Sequence, residues 1–108
     1  MPESNLEMMR AHCMAKEGAT EDTPWGDIAW KVKGKMFACT GPSGNSVTVK
    51  STLDKQAALV QHPDIDVAAY VGRYGWVSVS LNSAETLELA LDLIDESYEM
   101  IQGKKKKS

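Results

Sequence analysis

The chain has 108 residues, 43% of them hydrophobic and 25% charged, which is the size of one domain and the composition of an ordinary folded protein. No stretch approaches the ~18 apolar residues of a membrane span. The opening MPESNLEMMR carries no basic-then-apolar secretory signal, and Cys13 and Cys39 are too few for a disulfide scaffold, so a reduced, cytoplasmic protein is expected. The net charge of −3 is unevenly spread: residues 1–30 and 74–102 are acidic, while residues 31–73 and the terminal GKKKKS are basic.

Ser4 and Glu7 have the spacing of a capping box. Leu6, Met9 and Cys13 then mark one face of a helix over residues 4–16, which Gly18 ends. Residues 18–27, rich in turn formers, read as a loop. Ile28, Trp30 and Val32 alternate with Ala29, Lys31 and Lys33, as in a strand with one buried face. Lys33-Gly34 is a two-residue hairpin turn, and residues 35–40 return as the partner strand. In the simplest register Trp30 faces Phe37, Ile28 faces Cys39, and Lys31 lies across from Met36.

GPSGN at 41–45 is a second turn, followed by a strand through Val47 and Val49. Thr52 caps a short helix containing Leu53, Ala57, Leu59 and Val60, which stops before Pro63. Residues 66–71 read as a strand, 72–75 (GRYG) as a turn, and 76–81 as a last strand. Asn82 and Glu85 open a final helix whose apolar stripe is Leu87, Leu91, Ile94, Tyr98 and Ile101. Its acids fall mostly away from that stripe and read as a solvated face.

The predicted fold is α+β: a two-layer sandwich with a mostly antiparallel five-stranded sheet and helices packed on it, in the order α-β-β-β-α-β-β-α. Residues 1–102 form a single domain, and residues 103–108 are a basic tail expected to be disordered.

The chemistry-bearing residues make no positive case for an enzyme. No Cys-x-x-Cys or His-Glu-x-x-His spacing is present, and His12, Cys13, Cys39 and His62 sit on separate elements or diverge, so no metal or cofactor is expected. GPSGN lacks the Lys-Ser or Lys-Thr of a phosphate loop. Core packing is the first reading for Trp30 and Trp76, and an edge-plugging role for Trp25.

The segments GATEDTPWG (18–26), KVKGKMFA (31–38), GRYGWVSV (72–79) and LIDESYEMI (93–101), in that order and with the preceding CMAKEGA, resemble the MmcQ/YjbR family of small bacterial proteins. The residues carrying the resemblance are Pro24, Trp25, Gly26, Gly34, Lys35, Met36, Phe37, Trp76, Ser97 and Tyr98. Glu17 departs from the proline common in the family, and Thr23 from the aromatic common before Pro-Trp. The resemblance implies a fold like CyaY and the type III secretion chaperones, and a DNA-binding role through a double-wing arrangement of hairpins. Mapped here, one wing is the Lys33-Gly34-Lys35 hairpin and the other is 41–46 or 72–75. Lys31, Lys33, Lys35, Lys50 and Arg73 would then contact the phosphates of double-stranded DNA. The alternative is a non-enzymatic, chaperone-like adaptor for a protein partner. A monomer without membrane association is expected in either case.

Overall fold

A computed structural model describes residues 5–23, 27–41, 44–68 and 72–103. The elements are α1 (Asn5–Met14), β1 (Thr20–Asp22), β2 (Ile28–Val32), β3 (Lys35–Thr40), β4 (Ser46–Val49), α2 (Leu53–Leu59), β5 (Ile65–Val67), a 3₁₀ turn (Gly72–Tyr74), β6 (Val77–Ser80) and α3 (Ala84–Gln102). The sheet order is β1-β2-β3-β4-β6-β5, with every neighbouring pair antiparallel. The α+β class is as predicted, with six strands instead of five.

The additional strand is the Thr-Glu-Asp segment predicted as loop. It pairs with β2 so that Glu21 lies opposite Trp30. The Glu21 carboxylate accepts the indole N–H of Trp30 at 3.0 Å and the Nε–H of Arg10 at 2.8 Å. A buried indole needs such an acceptor, and no hydrophobic alternation in the sequence marks the residue that supplies it. The Arg10 hydrogen bond holds the Glu21 carboxyl below its ordinary range against the opposing effect of burial, with a smaller contribution from the Trp30 N–H.

The β2–β3 hairpin turns at Lys33 and Gly34, whose φ angles are +55° and +78°. Positive φ at both central residues gives a tight turn whose twist matches the flanking strands. Lys31 lies opposite Met36 as expected, but the pairing then shifts. Trp30 faces Ala38, and Ile28 faces Thr40, instead of Phe37 and Cys39. A bulge inserts one residue on β3, so Phe37 and Ala38 are both buried.

The core gathers Trp30, Phe37, Val47, Val49, Ile65, Val77 and Val79 from the sheet with Met9 and Cys13 of α1 and Leu87, Ala90, Leu93 and Ile94 of α3. The buried face of α3 is rotated from the predicted stripe. Thr86, Leu87, Ala90, Leu93, Ile94 and Ser97 are buried, while Leu91, Tyr98 and Ile101 flank them. Small residues at 90 and 97 let the helix approach the sheet closely. The N-cap of α3 is Ser83 instead of Asn82: the Ser83 hydroxyl accepts the Thr86 N–H, and the Thr86 hydroxyl oxygen accepts the Ser83 N–H. Asn82 donates instead to the Asp64 carboxylate at 2.8 Å.

Ser97 carries a buried polar tie through this layer. Its hydroxyl donates to the Phe37 carbonyl at 2.6 Å and accepts the Lys50 N–H at 3.0 Å, joining α3 to β3 and to the end of β4. Ser97→Ala leaves the buried Phe37 carbonyl and the half-buried Lys50 N–H without this partner. The expected loss is about 1–3 kcal/mol, read in urea as a lower midpoint with an unchanged slope.

Candidate functional site

Strand direction decides which loops meet. β2 runs up to its hairpin, β4 and β5 run the same way, and β6 starts from that end. The Lys33-Gly34 turn, the Lys50–Thr52 exit from β4 and the 72–76 turn therefore share one end of the sheet. The C-terminus of α3 lies there too, since the Lys33 ammonium donates to the Gln102 carbonyl at 2.8 Å. Of the 41–46 turn, Gly41 and residues 44–46 lie at the opposite end, between β3 and β4, and Pro42 and Ser43 lie outside the described residues. Of the two candidate second wings, only 72–75 stands beside the hairpin.

Of the five basic residues singled out from the sequence, Lys33, Lys35, Lys50 and Arg73 stand at this end, while the Lys31 side chain reaches back from it. Lys31 pairs with Asp22 at 3.2 Å. Lys33 is spent on the end of α3, where a cation complements the helix dipole. Lys35 is exposed and has no ion pair among the described residues. The Lys50 ammonium lies 5.8 Å from the centre of the Trp76 ring, and the Arg73 guanidinium 5.0 Å from that of Tyr74. Such cation–π contacts leave the N–H donors unspent. The opposite end holds Asp27, Asp64, Glu85 and Glu88, with no described lysine or arginine.

The 72–76 turn is held from two sides. A Cβ on Gly75, where φ is +99°, would lie 2.3 Å from the Ser51 carbonyl oxygen, and one on Gly72 would lie 2.2 Å from Val67 Cγ1. Neither position has room for a side chain, so the turn sits flush against the β4 exit and β5. The Gln56 side-chain amide then donates to the Gly72 carbonyl at 2.6 Å and the Trp76 carbonyl at 2.9 Å. A glutamine inside a short amphipathic helix gives no sequence signal of this role.

Among the residues of the family resemblance, Gly34, Lys35 and Met36 form the hairpin, and Phe37, Ser97 and Tyr98 lock α3 behind it. The Phe37 and Tyr98 rings meet edge to face at 5.3 Å. The Tyr98 hydroxyl donates to the Glu17 carbonyl and accepts from Gln102 Nε2 at 2.8 Å. Trp76 is buried beneath Lys50. Pro24, Trp25, Gly26, Ser4 and the lysine tail lie outside the described residues.

Asp95 and Glu96, expected on a solvated face, are both ion-pair partners. Glu96 pairs with Lys55 of α2, and Asp95 accepts from Lys16 and, at 2.7 Å, from His12 Nε2. Burial at Cys13 pushes its thiol up to about 12, and burial also raises that of Cys39. Neither is a thiolate nucleophile near neutral pH. Among the described residues, no three His, Cys, Asp or Glu side chains gather as a metal would require, and no helix is long and apolar enough to cross a membrane.

The YjbR family model matches residues 14–100. The chain belongs to the YjbR family. A Deinococcus radiodurans protein with the domain DUF419 has a similar structure, with a TM-score of 0.80 at 24% identity over 94% of this chain and 82% of its own. A Pseudomonas syringae protein superposes with a TM-score of 0.70 at 17% identity, over 92% of this chain and 99% of its own. At these identities the likeness is one of fold. No curated protein matches the chain.

Burial raises the Asp95 pKa, but the Lys16 and His12 contacts outweigh it and leave the carboxyl below its ordinary value. A depressed carboxylate stabilises the fold above its unfolded pKa, near ~4, and that contribution is lost as pH falls through the folded value. Asp95→Asn is expected to lower the urea midpoint at pH 7 and to change it much less near pH 3. An equal loss at both values would show that the ion pairs do not stabilise the fold. Lys33→Ala should cost about 0.3–1 kcal/mol from the end of α3, measurable as a lower thermal midpoint.

Proposed function

We propose that this YjbR-family chain is a DNA-binding protein that grips the phosphate backbone with the hairpin end of its sheet. The observation that carries the reading is the convergence of Lys33, Lys35, Lys50 and Arg73 on one end of the sheet of a chain that is acidic overall, with Lys31 just behind them. The whole-chain charge of −3 gives no general affinity for polyanions, so binding must come from this local field.

Lys35, Lys50 and Arg73 carry the phosphate contacts, because Asp22 and the α3 carbonyl already engage Lys31 and Lys33. With strands about 4.8 Å apart, the hairpin and the 72–75 turn stand roughly 10–14 Å apart across β4. That separation is comparable with the ~12 Å width of a major groove. Contacts of this kind position a protein on DNA and carry little sequence information.

The test is titration into a labelled duplex at two salt concentrations. Three phosphate contacts give a slope of log affinity against log salt near −2.7, or about a 40-fold loss between 50 and 200 mM. Changing Lys35, Lys50 and Arg73 together to Ala should remove most of the binding. A separate variant with Lys104–Lys107 changed to Ser reports what the tail adds. The proposal fails if the wild type does not bind at 50 mM salt, or if the triple variant binds as well as the wild type.

A further inference from the structure

We infer that the corner formed by the 72–76 turn and the β4 exit takes unpaired nucleotides, with Tyr74 as a stacking platform, so that the preferred ligand is a single-stranded nucleic acid. This rests on the phosphate-binding reading of the same end and names the form of nucleic acid it selects.

Three exposed apolar side chains surround the corner. Tyr74, Leu53 and Val67 have relative exposures of 55%, 58% and 54%. Val67 packs beside Gly72, and Leu53 follows the Ser51–Thr52 backbone that abuts Gly75. Two cation–aromatic pairs, Arg73 with Tyr74 and Lys50 with Trp76, stand on these same abutting segments. Exposed Asp54 and Asp66 stand on the same segments, so the occupant that fits carries spaced anionic groups within reach of Lys50 and Arg73 and also offers flat apolar surface.

A duplex satisfies only half of that description. Its phosphates face outward, but its base faces are stacked inside and cannot reach Tyr74. An unpaired strand presents both, and single-strand sites combine cations along the backbone with aromatic rings under the bases. The fixed backbone of the turn strengthens the case. Gly72 and Gly75 leave no slack, and the Gln56 amide holds the carbonyls of Gly72 and Trp76. A ring displayed on a rigid turn loses little conformational freedom when a base covers it.

The experiment is fluorescence anisotropy with a labelled 12-nucleotide single strand and the duplex of the same sequence, using the full chain, Tyr74→Ala and Tyr74→Phe, with circular dichroism confirming that each variant folds. Expected results are tighter binding of the single strand at 150 mM salt, and a loss of about tenfold or more for Tyr74→Ala on the single strand with little change on the duplex. Tyr74→Phe should keep near-wild-type affinity, because it keeps the ring. Two outcomes overturn the inference and leave the phosphate reading standing: a duplex bound as tightly as the single strand, or Tyr74→Ala binding the single strand unchanged. Heparin competing as well as the single strand would also overturn it, since charge alone would then explain binding. Failure to bind either form would sink both readings together.

Discussion

The arrangement depends on one buried hydroxyl. Ser97 is the last buried residue on the face that α3 turns toward the sheet, and it bonds to backbone groups of β3 and of the β4 exit at once. A larger side chain would push the helix away, and an apolar one of similar size would leave both backbone groups without this partner. With Ser97 in place, the helix settles low enough for Ala90 and Leu93 to close the core and for the Tyr98 ring to meet Phe37. The end of α3 then arrives beside the hairpin, where Lys33 reaches it. The spacing of the functional end follows from how closely α3 can approach the sheet.

The charges are divided by position and use. Cations that stabilise the fold are paired: Arg10 with Glu21, Lys16 with Asp95, Lys55 with Glu96, Lys33 with a helix carbonyl. Those at the hairpin end that lie on aromatic rings, Lys50 and Arg73, keep their hydrogen-bond donors available. An acidic chain can thus present cations at one end of its sheet without an excess of bases, because several of its carboxylates are occupied by structural partners; exposed Asp54 and Asp66 stand near that end as well.

Much of this was legible in the sequence where periodicity is strong. The long final helix, the hairpin at Lys33-Gly34 and the burial of Trp30 follow from apolar spacing and from a glycine in a two-residue turn. β1 was not legible, because Thr-Glu-Asp has no apolar alternation and is recruited by the Trp30 indole and Arg10 across the fold. The Trp30 register slipped because a bulge leaves no mark in hydrophobic alternation. The rotation of α3 leaves no mark in the sequence, because the fully buried Ala90 and Ser97 are not among the most hydrophobic residues on the helix. At the candidate site the basic residues could be named from the sequence, but not their states. Only the fold separates Lys33, committed to a helix end, from Lys35 two positions later. The Gln56 clamp was invisible because its partners are backbone carbonyls.

The margins of the sheet also shape how copies of this chain meet. Both outermost strands, β1 and β5, are three residues long and carry carboxylates: Glu21 and Asp22 on one, Asp66 on the other. Extending the sheet from one molecule into the next would join margins with few backbone groups to share. Strand-by-strand growth into fibrils is thereby opposed at both sides, although the lysine-bearing turns stand at neither.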